Sequence, residues 1–343
     1  MFWRTSQSKP LTATINDQMI TVDPKETLLQ AALRQGVDFP HSCRVGGCAT
    51  CKCRLLDGKV KELTRSDYVL TDDELDQGYI LACQSVPRSD VRIAVRQGEG
   101  GVARQVGGRV VACEKVTHDI VQLRIQLDDS LHYKPGQFAL LALHSLPGMT
   151  RSYSFATAVR PDSQVSFFVR QVPGGVFSSQ VHSRLAVGER VTVTGPMGDF
   201  WLRPGDAHLL LVAGGSGLAP ILALLEEACA RDVSRPVTLL FGARSQRDLY
   251  ALEAIRELAA AWPAPFTFEP VLSEEPAGSD WTGARGRVTS LASERMTPEC
   301  HAYLCGPPPM VDAVTSLLLE RGVARAHIHA DRFTTLHDLP ATA

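Results

Sequence analysis

Along the chain, the run Leu11–Val22, LTATINDQMITV, alternates apolar and polar positions in two segments about Asn16, Asp17 and Gln18, which predicts a β-hairpin. Thr27–Gln35 changes to helical spacing, with Asp23 or Thr27 available as N-cap and Gly36 as the stop. A β-rich unit with one helix is therefore expected over residues 11–96. The stretch 97–108, QGEGGVARQVGG, has five glycines in twelve residues and no apolar period, as a flexible connection does. Residues 109–204 then carry short alternating runs (RVVACEKV, VQLRIQL, FALLAL, VSFFVR, RVTVTG) separated by turn residues, the spacing of an antiparallel barrel. From His208 the texture changes. HLLLVAG is apolar without alternation, a glycine-rich turn follows, and Ile221–Arg231 has a helical pattern. VTLLFGA with Leu249–Ala261, then HAYLCG with Met310–Arg321, repeat the theme, so residues 205–335 are expected to form a parallel sheet covered by helices.

Composition narrows the class without adding to the fold. The 343 residues exceed what one core organises, and 44% apolar with 21% charged residues is ordinary for soluble globular proteins. A net charge of -2, with no basic block interleaved with aromatics, gives no footing for nucleic acid. No apolar run reaches the eighteen residues a membrane span needs, and Met1–Pro10 is too polar for a signal peptide, so a cytoplasmic protein with no membrane partner is expected.

The nine cysteines carry the first chemistry. Four of the first five fall within eleven residues and no secretory segment precedes them, which favours metal or redox ligation over disulfides. Cys43 and Cys48 enclose four residues, Cys48 and Cys51 two, and Cys83 follows after thirty-one; this is the plant-type ferredoxin spacing for a 2Fe-2S cluster. Thiolates suit soft iron, and Gly46 and Gly47 let the backbone curl so that its N–H groups turn toward sulfur. A four-cysteine zinc site uses the same ligands but favours paired short spacings, whereas Cys83 stands alone. Cys53 breaks the two-residue spacing and is not expected to ligate. Cys113, Cys229 and Cys300 are isolated and read as small buried hydrophobes.

CRVGGCATC and the later LTDDELDQGYILACQ resemble the β-grasp ferredoxin domains fused to bacterial oxygenase reductases, with Ala49 where many such ferredoxins have glycine. Arg151-Ser152-Tyr153-Ser154 resembles the Arg-x-Tyr-Ser motif of the ferredoxin-NADP reductase superfamily. That resemblance implies Arg151 on a flavin pyrophosphate, Tyr153 against the isoalloxazine and Ser154 near its reacting nitrogen. Phe168-Val169-Arg170 and Pro173-Gly174-Gly175-Val176-Phe177-Ser178 follow at the superfamily's distance. They imply Phe168, Val169 and Arg170 beside the flavin, Gly174, Gly175, Val176 and Ser178 at its pyrophosphate, and FAD rather than FMN.

The turn Gly214-Gly215-Ser216-Gly217-Leu218-Ala219-Pro220 joins an apolar strand to a helix, where glycines let a nucleotide approach the helix N-terminus. By resemblance Gly215, Gly217 and Pro220 serve that approach, and Arg244, after Phe241-Gly242-Ala243, lies at the adenosine ribose. Cys305, Gly306 and Pro307 receive nicotinamide, and Phe333 covers the flavin. Ser154, Cys305 and Phe333 are thus the expected residues on the hydride path. Arg244 and Arg247 leave room for a 2'-phosphate and hence NADPH, while the resemblance points to NADH.

The resemblance implies a multidomain reductase that passes electrons from NADH through FAD to the 2Fe-2S cluster and on to a terminal oxygenase, either Rieske-type or diiron. Arg44, Lys52 and Arg54 offer a charged rim for docking it. Two other classes stay open from sequence: reduction of a small substrate by the chain itself, as in deoxysugar reductases, and a zinc-stabilised redox-sensing module.

Overall fold

A computed structural model describes residues 9–37, 39–41, 44, 46, 50–64, 66, 70, 72–95, 103–183 and 185–333. The chain divides into two compact units that meet in sequence near residue 98.

In the N-terminal unit, β1 (Leu11–Ile15) and β2 (Gln18–Val22) form the hairpin, with Ile15 opposite Gln18. Asn16 occupies the turn at φ 51, a conformation asparagine tolerates better than most residues. Helix α1 (Leu28–Arg34) is capped by Thr27: its hydroxyl accepts from Gln30 N–H at 3.2 Å, and Gln30 Oε1 accepts from Thr27 N–H at 2.9 Å. The helix turns Leu28, Leu29, Ala31 and Ala32 into the core. Strands β3 (Lys52–Asp57), β4 (Val60–Glu62), β5 (Tyr79–Leu81), β6 (Ser85–Pro87) and β7 (Val91–Ala94), with the short helix α2 (Asp72–Asp76), complete the unit. The main sheet has the order β2-β1-β7-β3-β5, with β1 and β7 parallel, and β4 pairs with β6 apart from it. A helix packed on such a mixed sheet is the β-grasp arrangement.

The second unit begins with β8 (Arg104–Lys115), β9 (Ile120–Leu127), β10 (Phe138–Leu143), β11 (Thr150–Ser154), β12 (Gln164–Arg170), helix α3 (Val176–Ser183) and β13 (Arg190–Met197). They form one antiparallel sheet in the order β11-β10-β13-β8-β9-β12, and a bridge between Phe155 and Phe167 joins its two edges into a barrel. Residues 104–108 are part of β8, not the end of a flexible connection. Gly107 and Gly108 mark close approach: a Cβ on Gly107 would lie 2.6 Å from Asp128 Oδ2, and one on Gly108 would lie 2.8 Å from the Gln126 carbonyl oxygen.

The remainder alternates strand and helix: β14 (Leu209–Gly214), α4 (Leu218–Ala230), β15 (Val237–Ala243), α5 (Leu252–Ala261), β16 (Phe266–Leu272), β17 (Ala284–Arg285), α6 (Val288–Arg295), β18 (His301–Gly306), α7 (Pro308–Glu320) and β19 (Ile328–Arg332). The sheet is parallel, in the order β17-β16-β15-β14-β18-β19. Every residue of β14 is buried, as a strand covered by helices on both faces requires. Helix α5 starts at Leu252, three residues later than the pattern suggests, because Ala251 sits in the left-handed region at φ 55. The chain reverses its direction of winding about β14, so β14 and β18 diverge at a topological switch point, where open α/β sheets bind ligands.

Candidate functional site

Cys43 and Cys48, with Gly47 and Ala49, lie outside the described residues. Cys51 closes the loop just before β3, and Cys83 lies in the single turn Ala82–Gln84 after β5. The Ala82 N–H donates to the Cys51 carbonyl at 3.1 Å, which ties the two cysteine segments together. Both side chains are buried and neither is in a disulfide. Gly46 takes φ +83, and a Cβ there would lie 2.8 Å from Gln84 Cγ, so the loop presses on Gln84 as only glycine allows. Two buried thiol donors on neighbouring backbone, under a glycine-bearing loop, fit an iron-sulfur cluster. Cys53, wholly buried, packs in the apolar core of the unit.

Gln84 was not singled out by sequence. Its Oε1 accepts from the Thr64 hydroxyl at 3.0 Å, which fixes the amide so that Nε2 faces the Arg44 carbonyl at 3.4 Å and Cys83 Sγ at 3.7 Å. The charged rim is partly engaged. Lys52 pairs with Glu74 at 2.5 Å and Arg54 donates to the Gln77 carbonyl at 2.8 Å, whereas exposed Arg44 meets His41 Nε2 at 3.1 Å.

In the barrel, Arg151 and Ser152 face solvent on β11, and Arg151 donates to the Thr150 carbonyl at 2.7 Å. Tyr153 leans on Phe177 with ring centroids 5.6 Å apart, and burial pushes its hydroxyl up. Ser154 is buried at the end of β11. Gly174 takes φ +71 with open space around it, and Val176 at the start of α3 is exposed. Ser178 departs from its expected role. The residue is 4% exposed, and its hydroxyl accepts from Val172 N–H at 3.0 Å and donates to the Gly175 carbonyl at 3.2 Å. It holds the loop from within, and the outward-facing groups are Gly174 and Val176. An exposed guanidinium on β11, with an open glycine ahead of the N-terminus of α3, whose Phe177 meets Tyr153 of the same strand, fits the phosphates of a flavin dinucleotide.

Strand alternation sorts Phe168, Val169 and Arg170. Val169 points into the barrel core, so only its backbone is available to a ligand, while Phe168 packs into the core of the nucleotide domain. Phe168 meets Tyr250 edge-on at 4.9 Å, and the Tyr250 hydroxyl donates to the Gly215 carbonyl at 3.0 Å. Arg170 Nη1 lies 3.3 Å from where a Cβ on Gly215 would be. The barrel thus reaches the glycine-rich turn at the tip of β14.

That turn is tight against β18. A Cβ on Gly217 would lie 2.3 Å from the Cys305 carbonyl oxygen and 2.8 Å from Gly306 Cα, and Pro220 is buried in the first turn of α4. Gly306, at φ +150, lies against Gly214, and Pro307 opens α7. Phe333 follows β19, donates its N–H to the Gly306 carbonyl at 2.9 Å and packs on the core that contains Cys305. A glycine turn with bare backbone at a helix N-terminus, at the switch point of a parallel sheet, fits a dinucleotide. Cys305 lies at the expected turn with its side chain directed inward. Its thiol is wholly buried, and burial, then Asp331, push it well above the ordinary thiol value. A thiol closed off from solvent packs beneath the turn.

Four charges span this cleft, two of them absent from the sequence reading. Asp119 Oδ2 accepts from Arg170 Nε at 3.0 Å and from Arg244 Nη2 at 3.2 Å, and Arg244 Nη2 also donates to Asp248 Oδ1 at 2.8 Å. Asp248 is held in turn by the Ser245 N–H and hydroxyl, a capping box legible in Ser245-Gln246-Arg247-Asp248. Burial raises both carboxyls, but for Asp119 the Arg170 charge and the Thr117 hydroxyl outweigh it, and for Asp248 the bonds from Ser245 and Arg244 do. Both stand below the ordinary carboxylate value. Arg247 is exposed beside them.

A β-grasp unit with cluster-type cysteines, an antiparallel barrel with a flavin motif and a parallel sheet with a dinucleotide turn together define an iron-sulfur flavoprotein oxidoreductase. Family models agree: a 2Fe-2S iron-sulfur cluster binding domain matches residues 13–88, an oxidoreductase FAD-binding domain 108–201 and an oxidoreductase NAD-binding domain 211–316. The chain is 42% identical over 311 residues to the xylene/toluene monooxygenase electron transfer component XylA of Pseudomonas putida, covering 90% of this chain and 89% of the relative. It is 36% identical to the phenol 2-monooxygenase reductase component DmpP of Pseudomonas sp. (strain CF600), over 94% and 93% of the two chains. Among solved structures, the ferredoxin reductase in carbazole 1,9a-dioxygenase aligns with a TM-score of 0.69 and 32% identity over 95% of this chain and 99% of that one. The chain belongs to the family of ferredoxin-fused reductase components of multicomponent oxygenases, which transfer electrons from NAD(P)H. Among the described residues, no helix is long and apolar enough to cross a membrane.

Proposed function

We propose that this reductase prefers NADH and supplies a terminal oxygenase of the aromatic-hydrocarbon monooxygenase kind. The observation that carries the reading is the cleft at the switch point, where Phe168 and Arg170 of the barrel meet the glycine turn of the nucleotide domain. When bound there, FAD exchanges the two electrons of a hydride for the single electrons that a 2Fe-2S cluster takes. Cys43, Cys48, Cys51 and Cys83 hold the cluster. Arg151, with the backbone of Gly174 and Val176, binds the flavin pyrophosphate, while Gly175, whose N–H donates to the Val172 carbonyl at 2.9 Å, shapes the loop. Tyr153, Ser154 and Arg170 line the ring system, and Phe333 covers it until nicotinamide enters.

On the nucleotide side, Gly215 and Gly217 admit the dinucleotide backbone to the N-terminus of α4, while Pro220, Gly306 and Pro307 shape the walls. Arg244 supports NADH over NADPH, because a 2'-phosphate there has to draw it from two carboxylates, Asp119 and Asp248. The partner class is supported by the 42% identity to the xylene/toluene monooxygenase component. Steady-state reduction of a chemical acceptor with each nucleotide tests the first part, and a higher specificity constant for NADPH overturns it. Reconstitution with hydroxylase components of aromatic monooxygenases and of Rieske dioxygenases tests the second: turnover only with the latter overturns it.

A further inference from the structure

Asp119 belongs to the barrel, in the Thr117–Asp119 turn between β8 and β9, and one of its oxygens holds guanidiniums from both sides of the cleft. Arg170 ends β12 of the barrel, and Arg244 follows β15 of the nucleotide domain. The charges alternate Arg170, Asp119, Arg244, Asp248 and sum to zero. The Thr117 hydroxyl braces the turn, donating to Asp119 Oδ1 at 3.0 Å and accepting the Asp119 N–H at 3.2 Å. Arg170, so held, has Nη1 3.3 Å from where a Cβ on Gly215 would be, and the Gly215 carbonyl accepts from the Tyr250 hydroxyl. Asp119 thus fixes the arginine that each domain contributes to the space between them, Arg170 from the barrel and Arg244 from the nucleotide domain.

We propose that Asp119 is a positioning residue for nucleotide oxidation: its carboxylate holds Arg170 and Arg244 in one register across the cleft, which sets how nicotinamide is presented to the flavin. The proposal rests on the reading that this cleft is where the two meet. Its consequence is a split between binding and chemistry. Asp119→Asn keeps the shape and makes the cleft one charge more positive, which attracts the dinucleotide phosphates at least as well as before. The arginines lose their common anchor, and small misplacements of reacting groups are costly in rate.

The test uses full-length, FAD-loaded protein: anaerobic rapid mixing with NADH, calorimetric titration with NAD⁺, and thermal unfolding. D119N is expected to retain FAD, to bind NAD⁺ as tightly as wild type or tighter, and to show a limiting rate of flavin reduction lowered about tenfold or more, with weakened charge-transfer absorbance in the nucleotide complex. D119E restores the charge and is expected to stay within about threefold of the wild-type rate. A D119N rate within about twofold of wild type overturns the proposal, as does a loss of NAD⁺ affinity that accounts for the slower rate. Should D119N not fold, Thr117→Val decides, since it removes the brace on the Asp119 turn: a lowered limiting rate at unchanged NAD⁺ affinity supports the role, and a rate within about twofold of wild type removes it. Wild-type flavin that NADH does not reduce takes away the underlying reading of the cleft instead.

Discussion

Gly217→Ala places a methyl where the chain has no room for one. The added Cβ lies 2.3 Å from the Cys305 carbonyl oxygen and 2.5 Å from its carbonyl carbon, with Gly306 Cα at 2.8 Å. All three are backbone atoms at the end of β18, a central strand bonded on both sides, so no side chain can swing away. Reaching even a tight contact of about 3 Å requires the turn and β18 to part by roughly 0.7 Å, and overpacking of this kind costs about 1–3 kcal/mol. Resistance from backbone puts this case near the upper end, about 3 kcal/mol, or roughly 6–12 °C in melting temperature for a unit of this size. Gly278→Ala is the control, since nothing lies within 4 Å of its Cβ. Differential scanning fluorimetry of both variants, with NADH-driven reduction of a chemical acceptor alongside, reads the effect. G217A should melt well below wild type and lose nucleotide-dependent activity, while G278A should match wild type. A G217A protein melting within about 1 °C of wild type refutes the close approach of turn and strand.

Other outcomes follow from single contacts. Gln84→Leu removes the N–H donor facing Cys83 Sγ and should lower the cluster's reduction potential by about 40 mV, taking roughly 1 kcal/mol for the bond and 59 mV per tenfold for one electron; redox titration with an unchanged potential contradicts that role. His301 and His329 are pushed down to about 4 and about 3, chiefly by burial, so the fold holds them neutral. Their folded values lie below the ordinary 6.5, so the stability they favour is full above that pH and is lost as pH falls toward the folded values. Urea unfolding of wild type should weaken as pH drops from 6.5, and His329→Phe should flatten the loss; parallel pH profiles reject the assignment. Cys305, buried and protonated, should resist iodoacetamide in the native protein and react after denaturation, and rapid native labelling would place it in the open cleft.

Local periodicity made the β-rich, barrel and α/β stretches of the chain legible, along with features that depend on a few adjacent residues: the hairpin at Asn16, a cap for α1 at Asp23 or Thr27, of which the fold uses Thr27, and the glycine turn at Gly215. The cysteine spacing was equally plain, because ligand geometry constrains it directly. What escaped the sequence depends on contacts between distant residues. Asp119 and Arg244 are 125 positions apart, and no periodicity marks a turn residue that crosses a domain boundary. Gly107 and Gly108 looked like linker because a glycine needed for close packing and one used for flexibility are the same letter. Motif resemblance marks Ser178 and Cys305 but does not say that both side chains are buried, since whether a hydroxyl or thiol faces outward or into the protein is decided by packing.

The central claim is that electrons entering from nicotinamide reach the iron-sulfur site of the same chain. Anaerobic titration of the purified protein with NADH, followed by visible absorbance and electron paramagnetic resonance, tests it most directly. Iron and acid-labile sulfide in a 2Fe-2S ratio, bleaching of the flavin and the resonance of a reduced cluster are the expected result. A flavin that bleaches fully while the cluster stays oxidised, or zinc in place of iron, contradicts it.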